Sequence, residues 1–452
     1  MLTRRMFLEI GLGLVLASSL TMGTALGAVL GTTPSWGFEG NAPDQFMGKS
    51  VAIADVNGDG VDDLVVAPYS GDVLVFFGST IGPSTSPSQV LISPNPGSGG
   101  DLVALGDWNG DGYGDVAISS FSNNVASVDI LFGSPSGLSA SPGWSTTQDC
   151  CSFGQSLGAA GDVNGDGYKD LLVGNYDYNS TSFQAAGRAY LFLGGPSAPT
   201  TPARVFDGTS TGDFLGYALS GAGDVNHDGY GDILISEVSA QDVHGSRGPR
   251  VQLFLGSATG VASTPAWVTS GPAGSLYGSS LGSAGAVNGD GYDDIVVGDN
   301  QANIGVKRGS AQTGLKRGKA YVYYGSKSGA SMVPAWTYTG QEDNDFLGDA
   351  VAARDINHDG YSDLIVSAPY RAALLPKPGQ IYLFLGSSKG LGKQPAWTVQ
   401  GGQPYAGNVG FRLAVGNANG DLLGDLLVGM AQWSNTAGAS AGRAVLFLGG
   451  AP

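Results

Sequence analysis

The stretch that decides the fold is Asp-Val-Asn-Gly-Asp-Gly-Tyr-Lys-Asp at 162–170, which the apolar run Leu-Leu-Val-Gly follows directly. It places carboxylates at the first, fifth and ninth positions and an amide oxygen at the third. Gly167 at the sixth position can adopt the positive φ that folds the segment back, so that alternate side chains converge. Oxygen ligands that converge on a tight turn suit Ca²⁺. The stretch therefore predicts a calcium-binding turn that leads into a strand.

The same nine-residue frame occurs seven times along the chain. It lies at 55–63, 107–115, 162–170, 224–232, 286–294, 355–363 and 417–425. The first positions of successive copies are 52, 55, 62, 62, 69 and 62 residues apart. These spacings exceed the periods of short solenoid repeats and suit a unit of four strands. We therefore expect one large repeat domain rather than several unrelated ones.

The segments between the acidic turns are predicted to form strands. A short apolar run follows each turn, such as DLVVA at 63–67 and DILIS at 232–236, and a second run such as YLFLGG begins at Tyr190. Continuous apolar runs bounded by turn residues indicate strands that are buried on both faces. The composition, with 76 glycines and 22 prolines, agrees with an all-β chain that turns often.

The two chain ends predict a closed ring. The seventh unit stops after its third strand, near Val445, whereas an additional copy of the outer segment, Pro34-Ser35-Trp36, precedes the first unit. That N-terminal strand can complete the last sheet, and closure protects the sheet edges. We predict that residues 29–452 form a seven-bladed β-propeller of four-stranded blades, closed by the strand near Trp36 and monomeric.

Five of the acidic turns carry complete ligand sets. In each, side chains at the first, third, fifth and ninth positions and the backbone carbonyl at the seventh would bind the ion. The sets are Asp55, Asn57, Asp59, Val61 and Asp63; Asp107, Asn109, Asp111, Tyr113 and Asp115; Asp162, Asn164, Asp166, Tyr168 and Asp170; Asp224, Asn226, Asp228, Tyr230 and Asp232; and Asp355, Asn357, Asp359, Tyr361 and Asp363. An EF-hand is excluded because its acidic twelfth position is apolar here, as at Val66.

Two turns depart from this pattern. The fifth has Ala286 in place of the first carboxylate, which leaves Asn288, Asp290 and Asp294, and we expect it to bind calcium more weakly. The seventh has Leu422 in place of the glycine that permits the turn, and we expect no ion there. Half of the 38 acidic residues are aspartates at the ligand positions of the seven turns, so the net charge of −17 reflects ion-binding capacity. A nucleic-acid partner is not expected.

The N-terminus predicts export. Residues 1–28 contain Thr3-Arg4-Arg5-Met6-Phe7-Leu8, then an apolar stretch, then small residues ending at Ala28. This order is typical of an export signal, and the paired arginines before Phe7 resemble the twin-arginine type. We expect a bacterial protein that is periplasmic, on the cell surface or extracellular, with no transmembrane segment once the signal is removed. Only two cysteines are present, Cys150 and Cys151, and their adjacency excludes a conventional disulfide framework.

The repeat resembles a known family. Phe153-Gly-Gln-Ser-Leu157, followed by the acidic turn and Leu-Leu-Val-Gly, resembles the FG-GAP repeat of the integrin α-chain N-terminal propeller. Similar starts occur at Phe46, Phe214, Tyr277 and Phe346, but the second and seventh units depart from them. The resemblance extends from about Trp36 to the C-terminus. It implies calcium in the loops between the first and second strands of the blades, and it does not by itself imply cell adhesion.

The sequence favours a binding module over an enzyme. His227 and His358 lie within acidic turns, which leaves only His244 elsewhere, and no nucleophile, zinc or phosphate motif is present. The variable loops lie opposite the calcium turns, and the longest contains Lys307, Arg308, Lys316 and Arg317. These four residues could bind an anionic glycan or an acidic protein segment, or they could belong to a solvated loop. The alternative is a calcium-dependent polysaccharide lyase or hydrolase.

Overall fold

The computed structural model describes residues 29–69, 71–91, 99–122, 124–149, 152–238, 248–302, 316–369, 379–401, 410 and 412–450. These ranges contain 28 strands in seven four-stranded antiparallel sheets, and no helix. The predicted all-β, seven-bladed propeller of four-stranded blades is confirmed. The export signal at 1–28, both cysteines, His244, Lys307 and Arg308 lie outside the described residues.

The strands follow one another blade by blade. Blade one is β2 (Ser50–Ala54), β3 (Asp63–Ala67), β4 (Val73–Phe76) and β5 (Gln89–Leu91). Blade two is β6 (Gly99–Gly106), β7 (Asp115–Ser122), β8 (Val125–Leu131) and β9 (Trp144–Gln148). Blade three is β10 (Phe153–Gly161), β11 (Asp170–Asn175), β12 (Arg188–Phe192) and β13 (Arg204–Asp207). Blade four is β14 (Leu215–Gly223), β15 (Asp232–Glu237), β16 (Arg250–Phe254) and β17 (Trp267–Ser270).

The remaining three blades repeat the arrangement. Blade five is β18 (Tyr277–Gly285), β19 (Asp294–Asp299), β20 (Lys319–Tyr323) and β21 (Trp336–Thr339). Blade six is β22 (Val351–Arg354), β23 (Asp363–Ala368), β24 (Gln380–Phe384) and β25 (Trp397–Gln400). Blade seven is β26 (Arg412–Gly416), β27 (Asp425–Met430), β28 (Arg443–Phe447) and the N-terminal β1 (Trp36–Glu39).

The N-terminal strand closes the ring as predicted. Strand β1 pairs antiparallel with β28, with Trp36 opposite Leu446 and Glu39 opposite Arg443. The first strands of successive blades contact one another from β2 round to β26, and β26 contacts β2. The indole of Trp397 in blade six donates to the carbonyl of Gly31, just before β1, at 3.2 Å. Closure thus leaves no blade without a neighbour on either side.

The core lies between blades because each sheet is apolar on both faces. Leu171, Leu172 and Val173 of β11 are completely buried. Leu171 and Val173 pack with Ala117, Val128 and other residues of blade two, whereas Leu172 packs with residues of blade four. One continuous apolar run therefore supplies two interfaces, which explains why the second strands do not alternate between apolar and polar residues.

Outer-strand tryptophans reinforce these interfaces. The indole N–H of Trp144 in blade two donates to the carbonyl of Pro199 in blade three at 2.8 Å. The indole N–H of Trp267 in blade four likewise donates to the carbonyl of Ser331 in blade five, at 3.0 Å. The indole N–H of Trp36 in blade seven donates to the carbonyl of Ser84 in blade one at 2.8 Å. The interface between the last and first blades therefore has the same tryptophan hydrogen bond as the other two interfaces.

Candidate functional site

The seven acidic loops lie at one end of the ring, each between the first and second strands of its blade. Adjacent loops are joined by backbone hydrogen bonds. The N–H of Gly114 in loop two donates to the carbonyl of Asp55 in loop one at 2.9 Å, and Lys169 donates to Asp107 at 3.0 Å. The N–H of Asp62 likewise reaches the carbonyl of Asn417 in loop seven at 3.0 Å. The loops therefore form a connected belt around this end.

Side chains within each loop accept hydrogen bonds from the loop backbone. In loop one, Asp55 Oδ1 accepts from Gly58 N at 2.7 Å, and its Oδ2 accepts from Gly60 N at 2.8 Å. Asn57 Oδ1 accepts from Asp59 N, and Asp59 Oδ1 accepts from Val61 N, both at 2.9 Å. These are the local bonds by which Asp and Asn favour turns over regular structure. The first five positions thus shape the turn directly.

The ninth-position aspartate has a different environment from the others. Asp63 is completely buried, its Oδ2 accepts from Val56 N at 3.1 Å, and its Oδ1 accepts from Gly78 N at 2.8 Å. Gly78 follows the third strand of the blade, so one carboxyl group joins the acidic loop to the far end of that strand. Equivalent pairs of backbone bonds hold Asp115, Asp170, Asp232, Asp294, Asp363 and Asp425. Sequence reasoning assigned this residue to the ion alone and missed its structural role.

Electrostatics show that the acidic groups of a loop lie near one another. Burial raises the pKa of Asp63 to about 7 although two backbone N–H groups favour its ionised form, and the charges of Asp59 and Asp55 raise it further. Burial likewise raises the pKa values of Asp170 and Asp232 to about 7. A cation beside these groups would offset the mutual repulsion of the carboxylates.

The donor set of a complete loop fits calcium in its chemistry. Asp55, Asp59 and Asp63 offer carboxylates, Asn57 an amide oxygen and Val61 a backbone carbonyl, all of them oxygen ligands of the kind that calcium prefers. In the structure, however, the Asp and Asn side chains of this loop accept hydrogen bonds from backbone N–H groups. Among those residues, no group of three or more His, Cys, Asp and Glu side chains is placed to hold a metal ion. Calcium in these loops therefore stays a prediction.

Two loop positions behave differently from the sequence expectation. The fourth position is glycine in loop one but histidine in loops four and six, yet its φ is positive in every loop, 76° at Gly58 and 57° at both His227 and His358. A Cβ added at Gly58 would lie 2.6 Å from the ring of Tyr113 in loop two, so the next loop covers this position. At the sixth position of loop seven the backbone takes a φ of 74° although the residue is Leu422. The turn therefore forms without glycine there, and the expectation that no ion binds loop seven remains untested.

The described basic residues of the longest loop are engaged by neighbours. Lys316 Nζ donates to Gln301 Oε1 at 2.6 Å and lies 5.8 Å from the ring centre of Phe346. Arg317 forms an ion pair with Asp343, with 2.9 Å between Nε and Oδ1. The two side chains therefore have separate partners instead of sharing one.

The opposite end of the ring carries a cavity of about 400 Å³ that the sequence did not predict. We call it the channel-mouth pocket, because its lining comes from near the beginnings of the seven first strands, together with Tyr176 and Asn300 just after the second strands of blades three and five. Its polar lining includes Lys49, Asp101, Gln155, Tyr217, Asp349 and Arg412. No single spacing in the sequence marks this set: Lys49, Gln155, Tyr217 and Asp349 follow the glycine of an FG-type start, whereas Asp101 and Arg412 come from the two units without such a start.

Comparisons with known proteins agree with the repeat pattern. The family model described as FG-GAP-like repeat matches residues 43–118, and that described as FG-GAP repeat matches residues 153–192 and 347–384. The chain is 36% identical to mouse integrin alpha-IIb over 211 residues, which is 44% of this chain and 20% of that protein. It is 29% identical to Xenopus laevis integrin alpha-5 over 208 residues, 44% of this chain and 19% of that protein. The matches thus span about a fifth of these relatives.

A solved structure shares the overall fold. The crystal structure of BBS1N in complex with ARL6DN aligns with 94% of this chain and 98% of its own, with a TM-score of 0.53 and 12% sequence identity. At this identity the similarity shows the fold alone. The repeat matches, the integrin relatives and the seven blades together support an integrin-α-like FG-GAP propeller.

Proposed function

We propose that the protein is an exported, calcium-binding propeller that acts as a non-catalytic binding module for an anionic glycan or an acidic protein segment. The observation that carries the proposal is the channel-mouth pocket, a polar cavity at the end of the ring where the variable loops lie. The acidic loops occupy the other end. One end would then stabilise the ring and the other would recognise the ligand. Ligand sites commonly lie on variable loops that a rigid scaffold positions.

Calcium has a structural role in this proposal. Five complete oxygen donor sets lie at the junctions between first and second strands, in loops that are hydrogen-bonded to their neighbours. An ion that binds only the folded loop stabilises the fold by mass action. Extracellular modules of this kind use dissociation constants of about 10⁻⁴ to 10⁻³ M. Such values suit a protein that acts outside the cytoplasm, where the N-terminal sequence would direct it.

The chemistry of the pocket supports binding rather than catalysis. Burial raises the pKa values of Tyr176 and Tyr217, so neither phenol is suited to accept a proton near neutral pH. His227 and His358 belong to acidic loops at the other end of the ring. The hydroxyls of Ser156 and Ser280, which line the pocket, donate to the backbone carbonyls of Gly216 and Gly348.

One observation favours the second candidate, a calcium-dependent polysaccharide lyase. Burial and the neighbouring charge of Arg412 lower the pKa of Lys49 to about 8. A lysine with this pKa can act as a base near neutral pH. The two candidates differ in a measurable way, because a lyase consumes its ligand and a binding module does not.

A calcium-supplemented array of glycans and acidic peptides, probed with the full chain, tests the proposal. We expect retention of anionic ligands, a weaker signal in EDTA, and intact ligand after prolonged incubation. Unsaturated sugar products would support the lyase instead, and no retention on any ligand would contradict both. Replacing Lys307, Arg308, Lys316 and Arg317 together with alanine would abolish retention if the longest loop forms the contact, and would leave it unchanged if the pocket does.

A further inference from the structure

The third and fourth positions of the acidic loops form a chemically reactive pair in five of the seven loops. The pair is Asn-Gly at 57–58, 109–110, 164–165, 288–289 and 419–420, and Asn-His at 226–227 and 357–358. In an Asn-Gly pair the backbone nitrogen of glycine can attack the asparagine side chain, because glycine has no side chain to obstruct the approach. Histidine in the same place does obstruct it. The chain therefore contains five pairs in which this attack is unobstructed and two that serve as natural controls.

The reaction that follows such an attack is deamidation, and it needs only water. A bond forms between the glycine nitrogen and Cγ of asparagine, the bond between Cγ and Nδ2 breaks, and ammonia leaves with the proton that the glycine nitrogen gives up. Water then opens the resulting succinimide ring at either of its two carbonyl groups. The product is aspartate or isoaspartate, and no oxidant, reductant or cofactor takes part.

Every loop holds its asparagine in a way that assists this attack. Asn288 Oδ1 accepts from the backbone N–H of Asp290 at 3.1 Å, and Asn419 Oδ1 accepts from that of Asp421 at 3.1 Å. The other five asparagines accept equivalent bonds of 2.9–3.2 Å. A donor in this place stabilises the negative charge that develops on Oδ1 when Cγ is attacked. The asparagine is half-buried and the next residue is exposed in every loop, so water can reach the pair.

The loops differ in what restrains the glycine nitrogen. In loops one, two and three its N–H donates to the carboxylate at the first position of the loop, at 2.6–2.7 Å. The nitrogen must give up this proton as it attacks. A carboxylate that accepts from the N–H holds the proton in place and repels negative charge on the nitrogen. The first-position aspartate therefore protects these three pairs.

Loops five and seven lack this protection. Their first positions are Ala286 and Asn417, and neither side chain carries a charge. The N–H of Gly289 donates instead to the backbone carbonyl of Ala286 at 3.2 Å, which is a longer bond to a neutral group. Both loops thus retain the hydrogen bond that assists attack on asparagine, without the carboxylate that restrains the glycine nitrogen.

We propose that Asn288 and Asn419 are sites of spontaneous deamidation, which proceeds there faster than at the other three Asn-Gly pairs. The modification replaces a hydrogen-bond donor with a negative charge. Asn288 Nδ2 donates to Asp290 Oδ2, and Asn419 Nδ2 donates to Asp421 Oδ2, each at 2.8 Å. After deamidation two carboxylates face each other in that place and repel. Deamidation therefore destabilises the loops of blades five and seven, and this inference depends on neither a bound ion nor a ligand.

Peptide mapping by mass spectrometry tests the inference on the full chain, incubated in EDTA at neutral pH. The deamidated fraction at each asparagine is followed with time, and circular dichroism checks that the protein stays folded. We expect the asparagines of loops five and seven to react at least about fivefold faster than those of loops one to three. Those of loops four and six should stay intact. Equal rates in all five Asn-Gly loops, or faster reaction in loops one to three, would overturn the proposal.

A denatured sample separates the effect of the fold from that of local sequence. All five pairs occur in the same tripeptide, Asn-Gly-Asp, so their rates should become similar in concentrated urea. A difference between the loops that persists in urea would show that the folded structure is not its cause, and would overturn the proposal.

Two variants of the folded chain test the role of the first position. Ala286→Asp supplies the missing carboxylate in loop five and should slow deamidation of Asn288 to the rate of loops one to three. Ala286→Asn is the matched neutral control and should leave the rate at Asn288 unchanged. An unaltered rate in folded Ala286→Asp would overturn protection by the first position. None of these readouts involves ligand binding, so their failure leaves the proposed function unaffected.

Discussion

Replacing Trp36 with alanine should destabilise the propeller as much as the same change in an interior blade. Trp36 is only 7% exposed, its indole N–H donates to Ser84 at 2.8 Å, and its ring packs edge-on against Phe76 with 4.8 Å between centroids. Loss of such a side chain costs about 3–5 kcal/mol, which includes the cavity that remains. The N-terminal strand would therefore contribute to global stability.

Trp267 provides the matched control. It is 4% exposed, donates to Ser331 at 3.0 Å, and packs edge-on against Tyr323 at 5.1 Å, so its surroundings resemble those of Trp36. Urea unfolding followed by far-ultraviolet circular dichroism avoids the change in fluorescence that loss of a tryptophan brings. We expect similar losses of unfolding free energy for Trp36→Ala and Trp267→Ala. A stable Trp36→Ala variant beside a destabilised Trp267→Ala variant would refute closure by the N-terminal strand.

Three further substitutions test local features. Leu422→Gly should raise the free energy of unfolding by up to about 1 kcal/mol, because Leu422 is 67% exposed and has a φ of 74°, and a denaturant titration in EDTA would measure this gain. Ala286→Asp completes the fifth donor set and should increase the rise in melting temperature that calcium produces, whereas Ala286→Asn should do so less. Burial raises the pKa of Asp299 to about 6, above its ordinary 3.8, so its ionisation destabilises the fold as pH rises from about 4 to above 6. Asp299→Asn should therefore be more stable than the parent by about 2–3 kcal/mol at pH 8 but not at pH 4, and equal unfolding midpoints at both pH values would contradict this.

The sequence predicted the parts of the structure that repeat. The apolar run at 170–174 became β11, Asp170–Asn175, and the unpaired Pro34-Ser35-Trp36 segment located the strand that closes blade seven. Both predictions depend on the local pattern of apolar residues and on the number of repeats, and a single sequence shows both. The hydrogen bonds from Val56 and Gly78 to Asp63 were missed because the pattern also suits an ion ligand, and because Gly78 follows a different strand.

The channel-mouth pocket was beyond sequence reasoning for a related reason. Its lining residues, from Lys49 to Arg412, are far apart along the chain and meet only where the seven first strands converge. Such a set has no spacing of its own to recognise. The basic loop, in contrast, was conspicuous in the sequence, yet Arg317 pairs with Asp343. Charge along the chain therefore did not reveal that Arg317 has a partner.

The most direct test of the calcium-stabilised ring is the melting temperature of the full chain with calcium and with EDTA. At about 1 mM calcium and a dissociation constant of about 10⁻⁴ M, each occupied loop adds about 1.4 kcal/mol to the folded state. With five complete loops, we predict a melting temperature several degrees higher in calcium than in EDTA. Identical melting curves in the two solutions would contradict calcium as the ion that stabilises this propeller.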